Sequence, residues 1–292
     1  MLLPLLLSLT QDSWCSGAPK AGTHLGIERD GVARALKGLP RDALFLTTKV
    51  RSPQNNLDLT PVAAADLVKK QLDEDRKILG VEKVDMWMLR ETPNCDVIQA
   101  QWRVLEDAQR AGVVGALGVV NYCEKQLSCL MKTAQIKPAL DYYCLHPGMG
   151  RDAHGLRSYA AKRGVKTFAY GAIGEPGPAP EILENDVLRR IGEAHGVSPA
   201  QVAVRWNLQN GNAVSARPTA EFGLGVSACR KDGSCAGGLR DRAFAVAGFA
   251  LTKQEMRDID ALTAPDAVPC LFSKACNPDL GTGNAADPLR KT

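Results

Sequence analysis

A chain of 292 residues, 45% hydrophobic and 23% charged, can bury a large core as a single globular domain. Its net charge of +4 comes from basic residues spread along the sequence, which argues against a nucleic-acid-binding surface. Nine cysteines stand without a CxxC pair or a Cys/His ligand spacing, which argues against a metal site.

Free thiols in a reducing cell are the expectation for these cysteines. Cys229/Cys235 and Cys270/Cys276 are spaced to close small loops if the compartment is oxidising.

Residues 1–25 form an apolar start and a loop. The run at 2–9 has the length of a signal-peptide core but lacks the positive residues that normally precede one. It also reads as a strand. The strand reading goes with a cytoplasmic protein and the signal reading with a secreted one. No run reaches the length of a transmembrane span.

A short helix is expected over 27–36 and a strand over 44–50, ending on Lys49. Pro61 opens a long helix that Gly80 stops. A strand follows at 84–89, then a helix at 97–111 with Ile98, Trp102, Leu105 and Ala108 along one face. Residues 113–119 are apolar and β-branched without alternation, as in a strand buried on both faces. The helix over 124–134 ends before Lys137-Pro138, and a strand occupies 139–145. Two strands joined by a helix make a βαβ unit and imply a parallel sheet.

The rhythm continues with a helix at 156–162, a strand at 165–170 and a Gly/Pro-rich loop over 171–180. Helices are expected over 181–195 and 199–209, the second capped by Ser198. A short strand at 214–216 precedes an aperiodic stretch at 222–241. A last helix, capped by Thr252, spans 252–262, and the tail from 263 to 292 is irregular.

The strings GALGVVNY and, after a helix, IKPALDYYCLHP resemble the aldo-keto reductases, whose corresponding strands read roughly G-x-S-N-F and P-A-x-N-Q-x-x-x-H-P. GVARALKGLPRDALFLTTKV resembles that family's second helix and third strand. The resemblance covers residues 26–262 and implies a (β/α)8 TIM-type barrel. About six clear strands stand against eight in a closed barrel, so the barrel is expected to be incomplete at its N-terminus. It also implies an NADP(H)-dependent oxidoreductase that moves a hydride to or from a small-molecule carbonyl or alcohol, acting as a monomer. The alternative is a non-catalytic relative that binds a nicotinamide nucleotide or a protein partner.

Parallel barrels carry their chemistry at the carboxyl ends of the strands. The resemblance places the family lysine at Lys49. The family histidine position falls on Arg90 when counted from Asp85 and on Glu91 when counted from Pro93. Arginine offers a fixed cation, and a glutamate protonated by burial can donate a hydrogen bond. If the run at 2–9 is the family's second strand, the aspartate and tyrosine of the tetrad fall on Leu9 and Trp14, neither of which can do that work. The first tyrosine in the chain is Tyr122.

On the cofactor side, Asn121 matches the residue that binds the nicotinamide amide. Tyr142 stands at a second amide contact, where the family has glutamine. Tyr170 matches the aromatic that stacks on the nicotinamide ring, and Gly171 opens the loop along the pyrophosphate. Arg217 replaces a lysine that pairs with the adenosine 2′-phosphate. His146 belongs to a His-Pro turn with a packing role.

Overall fold

The computed structural model describes residues 5–8, 32–34, 36–50, 59–152, 155–174, 180–215 and 246–262. These fall into two compact units, one holding 5–142 and 159–166, the other 143–158 and 167–262.

In the first unit, strands β1 (Leu5–Ser8), β2 (Leu44–Lys49), β3 (Val84–Arg90), β4 (Val114–Val120) and the start of β5 (Leu140–Cys144) lie side by side in chain order. Each pair is parallel. Parallel neighbours need a long return, and three helices supply it: α1 (Pro61–Leu79), α2 (Cys95–Arg110) and α3 (Glu124–Met131).

Local chemistry sets these helices. Thr60 accepts the Ala63 amide at the head of α1, Pro61 takes the first helical position, and Gly80 ends the helix at φ 66. Asn94 caps α2 by accepting the amides of Asp96 and Val97 at 3.0 and 3.3 Å. Val97, Ile98, Trp102 and Leu105 then bury the inner stripe of α2. The Trp102 indole N–H donates to the Ile136 carbonyl at 2.9 Å. Truncating such a buried aromatic to alanine costs on the order of 3–5 kcal/mol.

Register decides which side chains share a face. Lys49 pairs with Met88, Met88 with Gly118 and Gly118 with Leu140; one step on, Arg90 pairs with Val120 and Val120 with Tyr142. Paired residues and those two apart point the same way, so Lys49, Met88, Arg90, Val120 and Tyr142 share one face. Thr48 lies on the other face, beneath α1, where its hydroxyl donates to Asp75 at 3.3 Å.

The second unit holds the end of β5, the start of α4 (Leu156–Ala161), β6 (Lys166–Tyr170) from its second residue, then α5 (Pro180–Leu183), α6 (Asp186–His195), α7 (Pro199–Gln209), β7 (Ala213–Val214) and α8 (Lys253–Asp260). Strand β6 pairs in parallel with β7. Asn207 is buried in α7 and donates to the Leu145 carbonyl at 3.0 Å, and Trp206 donates to Asp260 of α8 at 2.8 Å.

Several expectations change. The helix over 181–195 is two helices, because Asn185 turns its side-chain oxygen Oδ1 to accept the amides of Val187 and Leu188 and starts α6 afresh. The helix over 124–134 stops at Met131, and the strand at 214–216 is the two-residue β7. Within the run at 2–9, Leu5–Ser8 pairs with β2 as a strand. Of the helix over 27–36, residues 32–34 and 36 are helical. The stretch at 222–241 and the tail from 263 lie outside the described residues.

The free-thiol expectation fails at Cys95 and Cys129, which form a disulfide with Cα atoms 5.9 Å apart. Cys123 is also disulfide-bonded. Spacing in sequence gave no sign of the Cys95–Cys129 pair, because packing α2 against α3 brings together cysteines 34 positions apart. Cys144 is a free, buried thiol.

Candidate active site

Lys49 ends β2 with its side chain 7% exposed. Its ammonium stands 4.2 Å over the centroid of the Tyr142 ring. Behind it, Gln71 of α1 donates its side-chain amide to the Lys49 carbonyl at 2.8 Å and to Asp75 at 3.1 Å. That network fixes the strand end from which the lysine projects.

Strand β3 ends on Arg90, and Glu91 follows; both are buried. Burial pushes the Glu91 carboxyl up from 4.5 to about 7, against the pull of Arg90, a backbone hydrogen bond, a hydrogen bond from Asn121 and the charge of Lys49. A carboxyl in that range holds its proton about half the time at neutral pH. Counting along the chain left Arg90 and Glu91 as alternatives, and the fold buries both at one strand end.

Asn121 follows β4 in the left-handed region at φ 57, a conformation asparagine adopts more readily than most residues. This turns its side chain onto Glu91. Tyr142, which the sequence placed at a cofactor contact, gives its ring to Lys49 instead.

Two buried neighbours were missed by the sequence reading. Asp141 accepts the Tyr122 amide at 3.3 Å through one oxygen, while its other oxygen is buried without a hydrogen bond. Burial holds this carboxyl well above its ordinary range, with Glu91 adding to the effect. Tyr122 is fully buried, donates to the Arg90 carbonyl at 3.5 Å and is pushed above its usual range by burial, Glu91 and Asp141. Only the whole pattern of contacts, not any local motif, could have pointed to these two.

In the second unit, Tyr170 ends β6 half-buried, and its carbonyl accepts the Leu145 amide at 3.0 Å. Gly171 and Gly174 follow at φ 59 and 109 in a turn closed by the Gly174 amide. His146 is buried, contacts the Pro147 carbonyl at 2.7 Å through Nδ1, and is held below its ordinary value by burial. That fits packing. Arg217 lies outside the described residues. Among the described residues no His/Cys/Asp/Glu group is arranged to hold a metal.

The model of the aldo/keto reductase family matches residues 25–264. The chain belongs to the aldo/keto reductase family. Among its relatives, a 9,11-endoperoxide prostaglandin H2 reductase of Trypanosoma cruzi is 29% identical over 234 residues, covering 80% of this chain and 73% of that protein. A glyoxal reductase of Bacillus subtilis is 28% identical over 247 residues, covering 85% and 76%. The crystal structure of an aldo/keto reductase from Brucella melitensis superposes with a TM-score of 0.65 at 25% identity, covering 80% and 81% of the two chains. The parallel strand–helix repeat is thus that of the (β/α)8 barrel. Aldo/keto reductases are oxidoreductases that generally use nicotinamide cofactors.

In the second unit the residues present suit part of a nicotinamide nucleotide. A half-buried aromatic at Tyr170, followed by glycine turns, suits a planar ring and a close-lying phosphate. Asn121 and Tyr142 have turned to Glu91 and Lys49.

Proposed function

We propose that this chain is an NADP(H)-linked oxidoreductase that reduces a small-molecule carbonyl slowly, with Glu91 holding the proton. When bound, the reduced nicotinamide supplies the hydride, and the protein has to supply the proton and hold the carbonyl. Glu91 supports this role because it is buried near neutrality beside two cations. Lys49 and Arg90 stabilise negative charge as it grows on the reacting oxygen. The Glu91 O–H bond breaks, the substrate oxygen gains the proton, and a carboxylate remains facing the lysine.

Turnover in this reading is slow relative to the family pattern, because with 2–9 as the second strand the tetrad aspartate and tyrosine positions fall on Leu9 and Trp14. Loss of a placed general acid costs about 10²–10⁴ in rate, and Glu91 restores part of it. Tyr170 and Gly171 hold the nucleotide in this reading, and Arg217 gives the preference for the 2′-phosphate. Substrate is a reactive small aldehyde or ketone, and the working form is a monomer in the cytoplasm. No helix among the described residues is long and apolar enough to cross a membrane. The Cys95–Cys129 disulfide is the observation that favours the secretory alternative.

Nucleotide binding followed by tryptophan fluorescence, then single-turnover oxidation of NADPH by a nitrobenzaldehyde, tests the reading. The expected result is binding with slow turnover that Glu91→Gln abolishes. Binding with turnover indifferent to Glu91 would remove the proton role. Binding with no turnover would favour the non-catalytic relative.

A further inference from the structure

We infer that Asp141 is a positioning residue: its carboxyl holds the turn at Asn121 and so keeps the Asn121 side chain on Glu91. The inference rests on the proposed function and deepens it. All the groups concerned lie in the first unit.

The chain leaves the sheet at this turn. The Asn121 amide donates to the Tyr142 carbonyl of β5 at 3.0 Å, and the Tyr122 amide donates to the Asp141 side chain at 3.3 Å. Two successive residues of β5 therefore take the two successive amides that follow β4. Asn121 itself stands at φ 57, a conformation that persists in a residue with a Cβ where its neighbours hold it. From there its side chain hydrogen-bonds Glu91.

Asp141 and Tyr122 are both 0% exposed, so bulk water cannot stand in as the acceptor of that amide. The second Asp141 oxygen is buried without a hydrogen bond, which works against stability. Packing alone does not ask for a carboxyl here, since an apolar side chain would fill the space without an orphaned oxygen. What the carboxyl adds is the acceptor.

The groups about Glu91 are Arg90 beside it, Lys49 on β2, Asn121 and Tyr122 after β4, and Asp141 on β5. A charge effect of Asp141 and a positioning effect move the Glu91 titration in opposite directions. Removing a nearby negative charge lowers its midpoint, and losing the Asn121 hydrogen bond raises it.

Glutamate labelled with ¹³C at Cδ, with Glu91→Gln to identify the resonance, reads that titration without nucleotide. Asp141→Leu removes the acceptor and should raise the Glu91 midpoint by about 0.5–1 pH unit, the value of one hydrogen bond. Asp141→Asn keeps an acceptor and should leave the midpoint in place. Asn121→Ala should raise it as far as Asp141→Leu does, and the double variant no further, because both remove the same contact.

A midpoint that Asp141→Leu leaves unmoved or lowers would overturn the proposal, as would a double variant in which the two shifts add. If Asp141→Leu does not fold, Asp141→Asn decides. An unmoved midpoint there supports the acceptor role, and a moved one gives the residue a charge role instead. If the titrations follow the expected pattern while the single-turnover rate ignores them, the proton role of Glu91 fails and the positioning of Asn121 stands.

Discussion

The side chain of Asn121 hydrogen-bonds the Glu91 carboxyl, tying the residue after β4 to the residue after β3. In the family pattern Asn121 serves the cofactor amide. Here it serves a carboxyl that burial keeps protonated up to about pH 7. Removing the amide takes away one of the groups that lower the Glu91 pKa. Asn121→Ala should therefore move the Glu91 titration upward, and the pH–rate midpoint with it. Single-turnover rates across pH 5–9 check this, and an unmoved midpoint would separate the two residues.

Glu91 also sets a pH dependence of stability. The folded state keeps a proton that the unfolded chain gives up above about 4.5. Stability should fall as pH rises from about 4.5 to about 7 and level off beyond, by up to about 3 kcal/mol. Asp141, also held above its ordinary 3.8, adds in the same direction. Denaturant unfolding of the natural and Glu91→Gln proteins at pH 5 and pH 8 reads the difference. The variant should lose less stability between the two pH values.

The strand end at Lys49 depends on α1. Gln71→Ala removes two buried hydrogen bonds, to the Lys49 carbonyl and to Asp75. A loss of about 1–3 kcal/mol is expected. Equilibrium unfolding measures it.

How far the sequence could be read depended on the range of the interactions. Strands such as 113–119 and helices such as 97–111 were legible because burial and capping act over a few residues. Lys49, Arg90, Glu91 and Asn121 were legible as strand-end positions. Their contacts were not. That Asn121 turns to Glu91 depends on a left-handed backbone at one residue, and that Tyr142 meets Lys49 depends on the register of four strands. The break at Asn185 was missed because an apolar helical period runs through a residue whose side chain competes for backbone amides.

The Cys95–Cys129 link closes a long loop between the start of α2 and the last turn of α3 in the first unit. In the chain-entropy account it contributes about 3–4 kcal/mol. Replacing both cysteines by serine should lower stability by up to that amount. Thiol titration of protein from its native source, under denaturing and non-reducing conditions, tells whether the link is formed there. Full titration of all nine cysteines would favour the cytoplasm.

Arg217 should make NADPH bind roughly ten- to a hundredfold more tightly than NADH, the value of about 1.5–3 kcal/mol for a charged hydrogen-bonded contact. Titration with both nucleotides, repeated on Arg217→Ala, checks the preference and its source.

The central claim is that Glu91, beside Lys49, delivers the proton in a slow carbonyl reduction. Single-turnover oxidation of NADPH by a nitrobenzaldehyde, compared among the natural, Glu91→Gln and Lys49→Met proteins, tests it most directly. The account predicts a slow but measurable rate that falls at least about a hundredfold in Glu91→Gln and by a smaller factor in Lys49→Met, with NADPH still bound. A rate unchanged in Glu91→Gln would contradict it.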